Sequence, residues 1–300
     1  MHSDACVEME TTPRQEHPSS PVGIPALQGS RSSHYQIDTT GNHKRRMPGL
    51  DERTMVELFF GDLTLYDAFM GVLTGAAGGA VLGTAYLMSR RGIAHWKARK
   101  LVHVTMGTVI ALTIVNYSNL SGPAFAAGVF LTVLFYAWAH KSSLISELLV
   151  AGSRENETSF NTFVSGFMGI VGFAVAFLVF FSEPGIFVAA ILAVAWADAA
   201  GEIIGRTCGG RLFGIRIRNK TVEGTISVLF FSAISLVFAL VSFSTVDPVT
   251  VLPQIVAIAA MVTVTEAVST RWLDNFLIPI VTSFAMWLLV FPTMPLFLPP

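Results

Sequence analysis

From Phe69 onward, long apolar stretches recur along the chain and are separated by short polar loops. That pattern predicts helices crossing a membrane, because the hydrocarbon layer needs about twenty apolar residues per helix. Eight stretches are read, at about 69–88, 102–117, 124–139, 160–181, 186–200, 225–243, 250–268 and 275–291. The second, third and fifth are short for a full span, so their helices are expected to borrow flanking polar residues. The expected fold class is all-α: a polytopic integral membrane protein with about eight transmembrane helices. No soluble domain fits between the spans.

Residues 1–55 break the pattern. Pro13, Pro18, Pro21, Pro25 and Pro48 are scattered among Ser, Thr, His and Gln, with no apolar run to begin a core. A disordered polar tail is expected there, ahead of one membrane domain over 56–300. The tail lacks the apolar core of a secretory signal peptide, which leaves insertion to the later helices. Its Lys44-Arg45-Arg46 run reads as a solvated charge cluster, with anionic lipid as the alternative contact.

Composition agrees with a membrane protein. Hydrophobic residues make up 52% of 300 positions and charged residues 13%, where a soluble domain is about a quarter charged. Mean hydropathy is +0.61. The formal net charge of -1 suggests neither nucleic acid nor an acidic partner. Cys6 and Cys208 match no metal-ligand or disulfide spacing.

The few charges are clustered, and their placement sets an orientation. Loop 89–101 carries Arg90, Arg91, Lys97, Arg99 and Lys100; loop 140–159 carries Lys141 and Arg154. Loop 201–224 carries Arg206, Arg211, Arg216, Arg218 and Lys220, and 269–274 carries Arg271. The intervening loops 118–123, 182–185 and 244–249 have no Lys or Arg. Basic residues stay cytoplasmic, so the first set of loops is assigned to that face. The same count puts the tail, with Lys44-Arg45-Arg46, on the opposite side, against the rule.

Gly71, Gly75, Gly79 and Gly83 recur every four residues in the first span and are expected to serve helix packing. Chemistry is concentrated elsewhere. Asp198 lies at the cytoplasmic end of an apolar span, where an unpaired carboxylate is costly. Glu202 follows four residues later on the same helical face, and Arg206 one turn beyond. Gly201, Gly205 and Gly209 leave backbone uncovered, which lets phosphate or another helix come close. A structural Asp-Arg or Glu-Arg pair with packing glycines is the bland alternative, and this segment alone leaves the two even.

Three further segments tilt the balance. Arg216, Arg218 and Lys220 precede Thr221-Val-Glu223-Gly224-Thr225, and topology needs no acid at Glu223. Arg99 and Lys100 stand one turn before His103, a placement suited to anion binding or proton transfer. Glu266 and Asp274-Asn275 bracket the last cytoplasmic loop. Acids and bases on one face suit a metal-nucleotide substrate, with carboxylates holding Mg²⁺ and cations neutralising phosphate. A transporter keeps its ionisable groups nearer the midplane, between repeated helices. No P-loop, strand-linked G-x-G-x-x-G, kinase signature, G-x-S-x-G or H-E-x-x-H is present.

These pieces resemble the CTP-using polyprenol and phytol kinases, the dolichol, phytol and farnesol kinase type, which share a core with phosphatidate cytidylyltransferases. The resemblance runs over about 96–285 through Arg99-Lys100-Leu-Val-His103, Asp198-Ala-Ala-Gly201-Glu202-Ile-Ile-Gly205-Arg206, Lys220-Thr-Val-Glu223-Gly224-Thr225 and Asp274-Asn275-Phe-Leu-Ile-Pro279. Glu202 stands where phytol kinases usually carry aspartate, and alanines flank Asp198 where glycines are common. The Lys-Thr-x-Glu-Gly-Thr piece is more similar to dolichol kinases and cytidylyltransferases. The cytidylyltransferase Lys-Asp and His-Gly-Gly elements are missing, which favours a kinase.

The resemblance implies a CTP-dependent kinase acting on the hydroxyl of a membrane isoprenoid alcohol, and the placement of the charges puts its site at the cytoplasmic face. Catalytic roles would fall to Asp198, Glu202, Glu223 and Asp274. Nucleotide and phosphate contacts would come from Arg99, Lys100, His103, Gly201, Gly205, Arg206, Lys220, Thr221, Gly224 and Asn275, and Mg²⁺ ligands from Asp198, Glu202 and Glu266. A cytidylyltransferase making a CDP-lipid is the alternative enzyme. A transporter or non-catalytic membrane protein is the alternative of another class.

Overall fold

The computed structural model describes residues 61–117, 119–140, 159–209, 216–217, 220–269 and 273–296. The expected tail over 1–55, with Lys44-Arg45-Arg46, lies outside them, as do Lys141, Arg154, Arg211, Arg218 and Arg271.

Among the described residues the chain forms eight helices where eight apolar stretches were expected. They are α1 (Leu65–Arg90), α2 (His95–Ile114), α3 (Ser121–Ala139), α4 (Ser159–Val179), α5 (Pro184–Thr207), α6 (Val222–Phe243), α7 (Leu252–Val268) and α8 (Asp274–Val290). Between α5 and α6 a two-residue antiparallel ribbon joins β1 (Arg216–Ile217) to β2 (Lys220–Thr221). Three helices, α1, α5 and α6, are long and apolar enough to cross a membrane by length and composition alone. Parts of α3 and α4, with α7 and α8, are apolar but shorter. The chain is a helical membrane protein.

Local chemistry sets several helix ends. Thr64 caps α1, its hydroxyl accepting from the Asp67 N–H at 3.0 Å while the Asp67 carboxylate accepts from the Thr64 N–H at 3.2 Å. This reciprocal box satisfies two of the donors that a helix start leaves open. Pro184 opens α5, where its missing N–H costs nothing. Gly92 turns the chain from α1 to α2 at φ 75°, a conformation closed to most side chains.

Two boundaries differ from the expected ones, and both differences matter for the site. α2 begins at His95 rather than near 102, and α5 continues to Thr207 rather than ending at 200. Arg99, Lys100, Glu202 and Arg206 therefore sit within α2 and α5, beyond the ends of the expected apolar spans. Helix persists past the apolar stretch because the charged side chains find partners along it.

At the centre is α5. Ile186, Val188, Ala189, Ala190, Ile191, Leu192 and Ala193 are fully or almost fully buried, which matches a helix that is apolar on every side. It packs against α2, α4, α6 and α8, while α1 rests on α2 and α3. In lipid such packing depends on close approach more than on burial from water, hence the small residues at the crossings. Gly71 of the α1 stripe faces α3, a Cβ there lying 3.6 Å from Phe125 Cδ1. No described atom comes within 4 Å of a Cβ built at Gly75, Gly79 or Gly83, so at these three the expected packing role is not met among the described residues.

Candidate active site

α2 and α5 cross so that the start of one faces the end of the other. Lys100, 1% exposed, extends from the second turn of α2 and places Nζ 2.6 Å from Asp198 Oδ2 and 3.0 Å from Glu202 Oε2. It also donates to the Asp198 backbone carbonyl at 3.4 Å. Arg99 pairs with Glu202 through Nη2. Arg206 closes the other side, its Nε 3.0 Å from Glu202 Oε1 in an i, i+4 pair. Three cations thus converge on two carboxylates. Removing charges from water is costly, and this arrangement offsets the cost by giving each carboxylate a short ionic contact.

The bland pairing weighed from sequence is partly present, since Glu202 and Arg206 do pair. Asp198 pairs instead with Lys100 from another helix, a partner that sequence spacing did not indicate. His103 lies one turn beyond Lys100, with Nε2 3.1 Å from the Val194 carbonyl and 3.5 Å from Asp198 Oδ2. Its main partner is α5 backbone.

The glycines take the second of their two expected roles. A Cβ on Gly201 would lie 2.5 Å from Val228 Cγ2, and one on Gly224 would lie 2.8 Å from the Gly201 carbonyl oxygen. Gly205 faces Thr221 Oγ1 and the Gly224 backbone. The space left by Gly201, Gly205 and Gly224 is filled by the α5–α6 crossing. Thr221 also caps α6, its Oγ1 accepting from the Gly224 N–H at 3.2 Å. Gly209 stands at the end of α5 against Thr221.

The remaining candidates occupy the same end of the bundle in separate contacts. Lys220 pairs with Glu266 and donates to its backbone carbonyl at 3.3 Å. Asn275 Nδ2 donates to Ser165 Oγ at 2.9 Å on α4. Glu223, at 5% exposure, and Asp274, at 7%, are buried at the starts of α6 and α8. No three His, Cys, Asp or Glu side chains gather as a metal-ligand set among the described residues, so Glu266 does not join Asp198 and Glu202. Two carboxylates at one spot still fit Mg²⁺, which takes one or two carboxylates and fills its shell with water and substrate phosphate.

Trp96 and Ser165 were missed. The Arg206 guanidinium lies over the Trp96 ring, 5.4 Å from its centroid. The one signal was Trp96 standing three residues before Arg99, on the face of α2 that carries the cations.

The fold and this cluster define a class: a polytopic membrane protein with a buried acid–base site where its helices end. The chain is similar to a phytol kinase of Synechocystis sp. (strain ATCC 27184 / PCC 6803 / Kazusa), 27% identical over 215 residues that cover 70% of this chain and 86% of the relative. No protein-family model matches the chain, and no solved structure matches it. The similarity relates the chain to the phytol and polyprenol kinase family.

Proposed function

We propose that the protein is a CTP-dependent kinase that phosphorylates the hydroxyl of a membrane-dissolved isoprenoid alcohol at the cytoplasmic face. One observation carries the reading: Lys100 is buried between Asp198 and Glu202, with Arg99 and Arg206 on either side, in a chain similar to a phytol kinase. The alcohol oxygen attacks the γ-phosphorus, the bond from that phosphorus to the β,γ-bridging oxygen breaks, and CDP leaves. The hydroxyl proton passes to a carboxylate or to water.

Such transfers depend on positioning and on neutralising phosphate charge. Arg99, Lys100 and Arg206 supply the cations nearest the carboxylates, and Arg206, with a side chain 51% exposed, is the arm that meets nucleotide from water. Lys220 serves a second phosphate position beside Glu266. Asp198 and Glu202 would hold Mg²⁺, which when bound supplies charge at the phosphate oxygens. Glu223 and Asp274 are left to orient the alcohol. The alcohol reaches the site from the bilayer, and phytol, geranylgeraniol and dolichol are the substrates to compare.

Purified protein given CTP labelled at the γ-phosphate tests this against the alternatives. A kinase transfers label to the alcohol and forms CDP. A cytidylyltransferase, supplied with phosphatidate, releases the label as pyrophosphate, and a transporter turns over no CTP.

A further inference from the structure

The backbone of α5 is not α-helical throughout: Ala193–Asp198 forms a π-helical turn that ends on the first of the two carboxylates. Such wide turns are rare and usually carry one residue more than the α-helix around them. One residue corresponds to about 100° of helix rotation. The direction in which Asp198 and Glu202 point, relative to the buried half of α5, therefore depends on the wide turn.

One side of α2 is fastened to that turn. His103 Nε2 lies 3.1 Å from the Val194 carbonyl, and Trp196 Nε1 donates to Thr108 Oγ1 at 2.8 Å. Gly107 lets Ala195 approach so closely that a Cβ there would sit 2.4 Å from Ala195 Cβ. Lys100 holds the last residue of the turn by both its carboxylate and its carbonyl. A carbonyl only accepts, so His103 carries a proton on Nε2.

We propose that the wide turn is a positioning device for the carboxylate pair and that His103 is its latch. The hydrogen bond to Val194 holds the turn open, so that Asp198 and Glu202 face Lys100 and Arg99. His103 is then a positioning residue, not a phosphate ligand. The kinetic consequence rests on the kinase reading; the structural one does not.

Three variants test it: His103→Gln, which keeps a donor at the same reach; His103→Phe, which keeps a ring without one; and deletion of Ala197, which removes the extra residue. In detergent without nucleotide, His103→Phe should raise amide hydrogen exchange across residues 193–199 about tenfold, the scale of one lost hydrogen bond. His103→Gln should exchange like the parent. With CTP, His103→Phe should lower kcat about tenfold with little change in KM for CTP, as for lost positioning, and His103→Gln should recover most of it. The deletion should purify folded and inactive; if it does not fold, the His103 variants decide. Unchanged exchange in His103→Phe overturns the latch, as does a raised KM at unchanged kcat, which marks a phosphate ligand. Full activity in the deletion overturns the wide turn's role. If the parent turns over no CTP, the kinase reading falls, and the exchange measurement alone decides the latch.

Discussion

Lys100 ends 2.6 Å from Asp198 and 3.0 Å from Glu202, one buried ammonium shared by two carboxylates from a neighbouring helix. Lys100→Met should therefore strand Asp198 away from water, while Glu202 keeps Arg99 and Arg206. Breaking a buried pair from one side costs about 3–5 kcal/mol, whereas replacing both members often costs little. The expected result is a sharply lowered Tm for Lys100→Met and substantial recovery when Asp198→Asn is added. An additive pair of effects would contradict the contact.

The α5–α6 crossing predicts a contrast between glycines. Gly201→Ala and Gly224→Ala force atoms into occupied space and should destabilise by about 1–3 kcal/mol. Gly75→Ala meets nothing within 4 Å and should leave stability unchanged or slightly raised. Thermal melts in detergent check both. Equal tolerance at all three positions would contradict the crossing.

Glu183, half-buried in the connection between α4 and α5, gives a pH dependence. Burial pushes its carboxyl pKa up, partly opposed by the Ser244 side chain. A folded-state pKa above the unfolded value means that this group's stabilisation is complete below the unfolded pKa and is lost as pH rises through the folded one. Glu183→Gln should therefore gain stability at neutral pH relative to the parent and lose that advantage in acid. Melts from pH 4 to 8 read it, and parallel curves would contradict the shift.

Sided labelling tests the orientation read from the Lys and Arg pattern. A cysteine at position 95 and the native Cys208, which is exposed, should react from the cytosolic side of sealed vesicles. Cysteines at 119 and 247, which are not buried, should react from the other. Labelling of 95 and 208 from opposite sides would separate α2 from the end of α5 and dismantle the site.

Much of this was legible in the chain because apolar length is a local signal: all eight stretches fall on helices. Asp198 and Glu202 were placed on one face by four-residue spacing, which the helix imposes directly. What was hidden depended on three dimensions. Spacing offered Arg206 as the partner of Asp198, but Lys100 arrives from a helix 98 residues earlier in the chain. The glycines of α5 were open to two readings because a missing side chain admits phosphate and helix alike. The wide turn has no signature in Ala-Val-Ala-Trp-Ala-Asp, since alanines suit either helical geometry and the contacts with α2 decide between them. The expected spans stopped short of Arg99 and Glu202 because pairing partners that sustain a helix beyond its apolar stretch cannot be counted from hydropathy.

The most direct test of the account is label transfer from γ-labelled CTP to phytol by the purified protein, compared with its Asp198→Asn variant. The parent should give labelled phytyl phosphate and CDP, with Mg²⁺ required and ATP a far poorer donor. Asp198→Asn should fold and purify, yet lose turnover by orders of magnitude, since it keeps the shape of the side chain and removes the charge. A well-folded Asp198→Asn protein that phosphorylates phytol from CTP at a near-parental rate would contradict it.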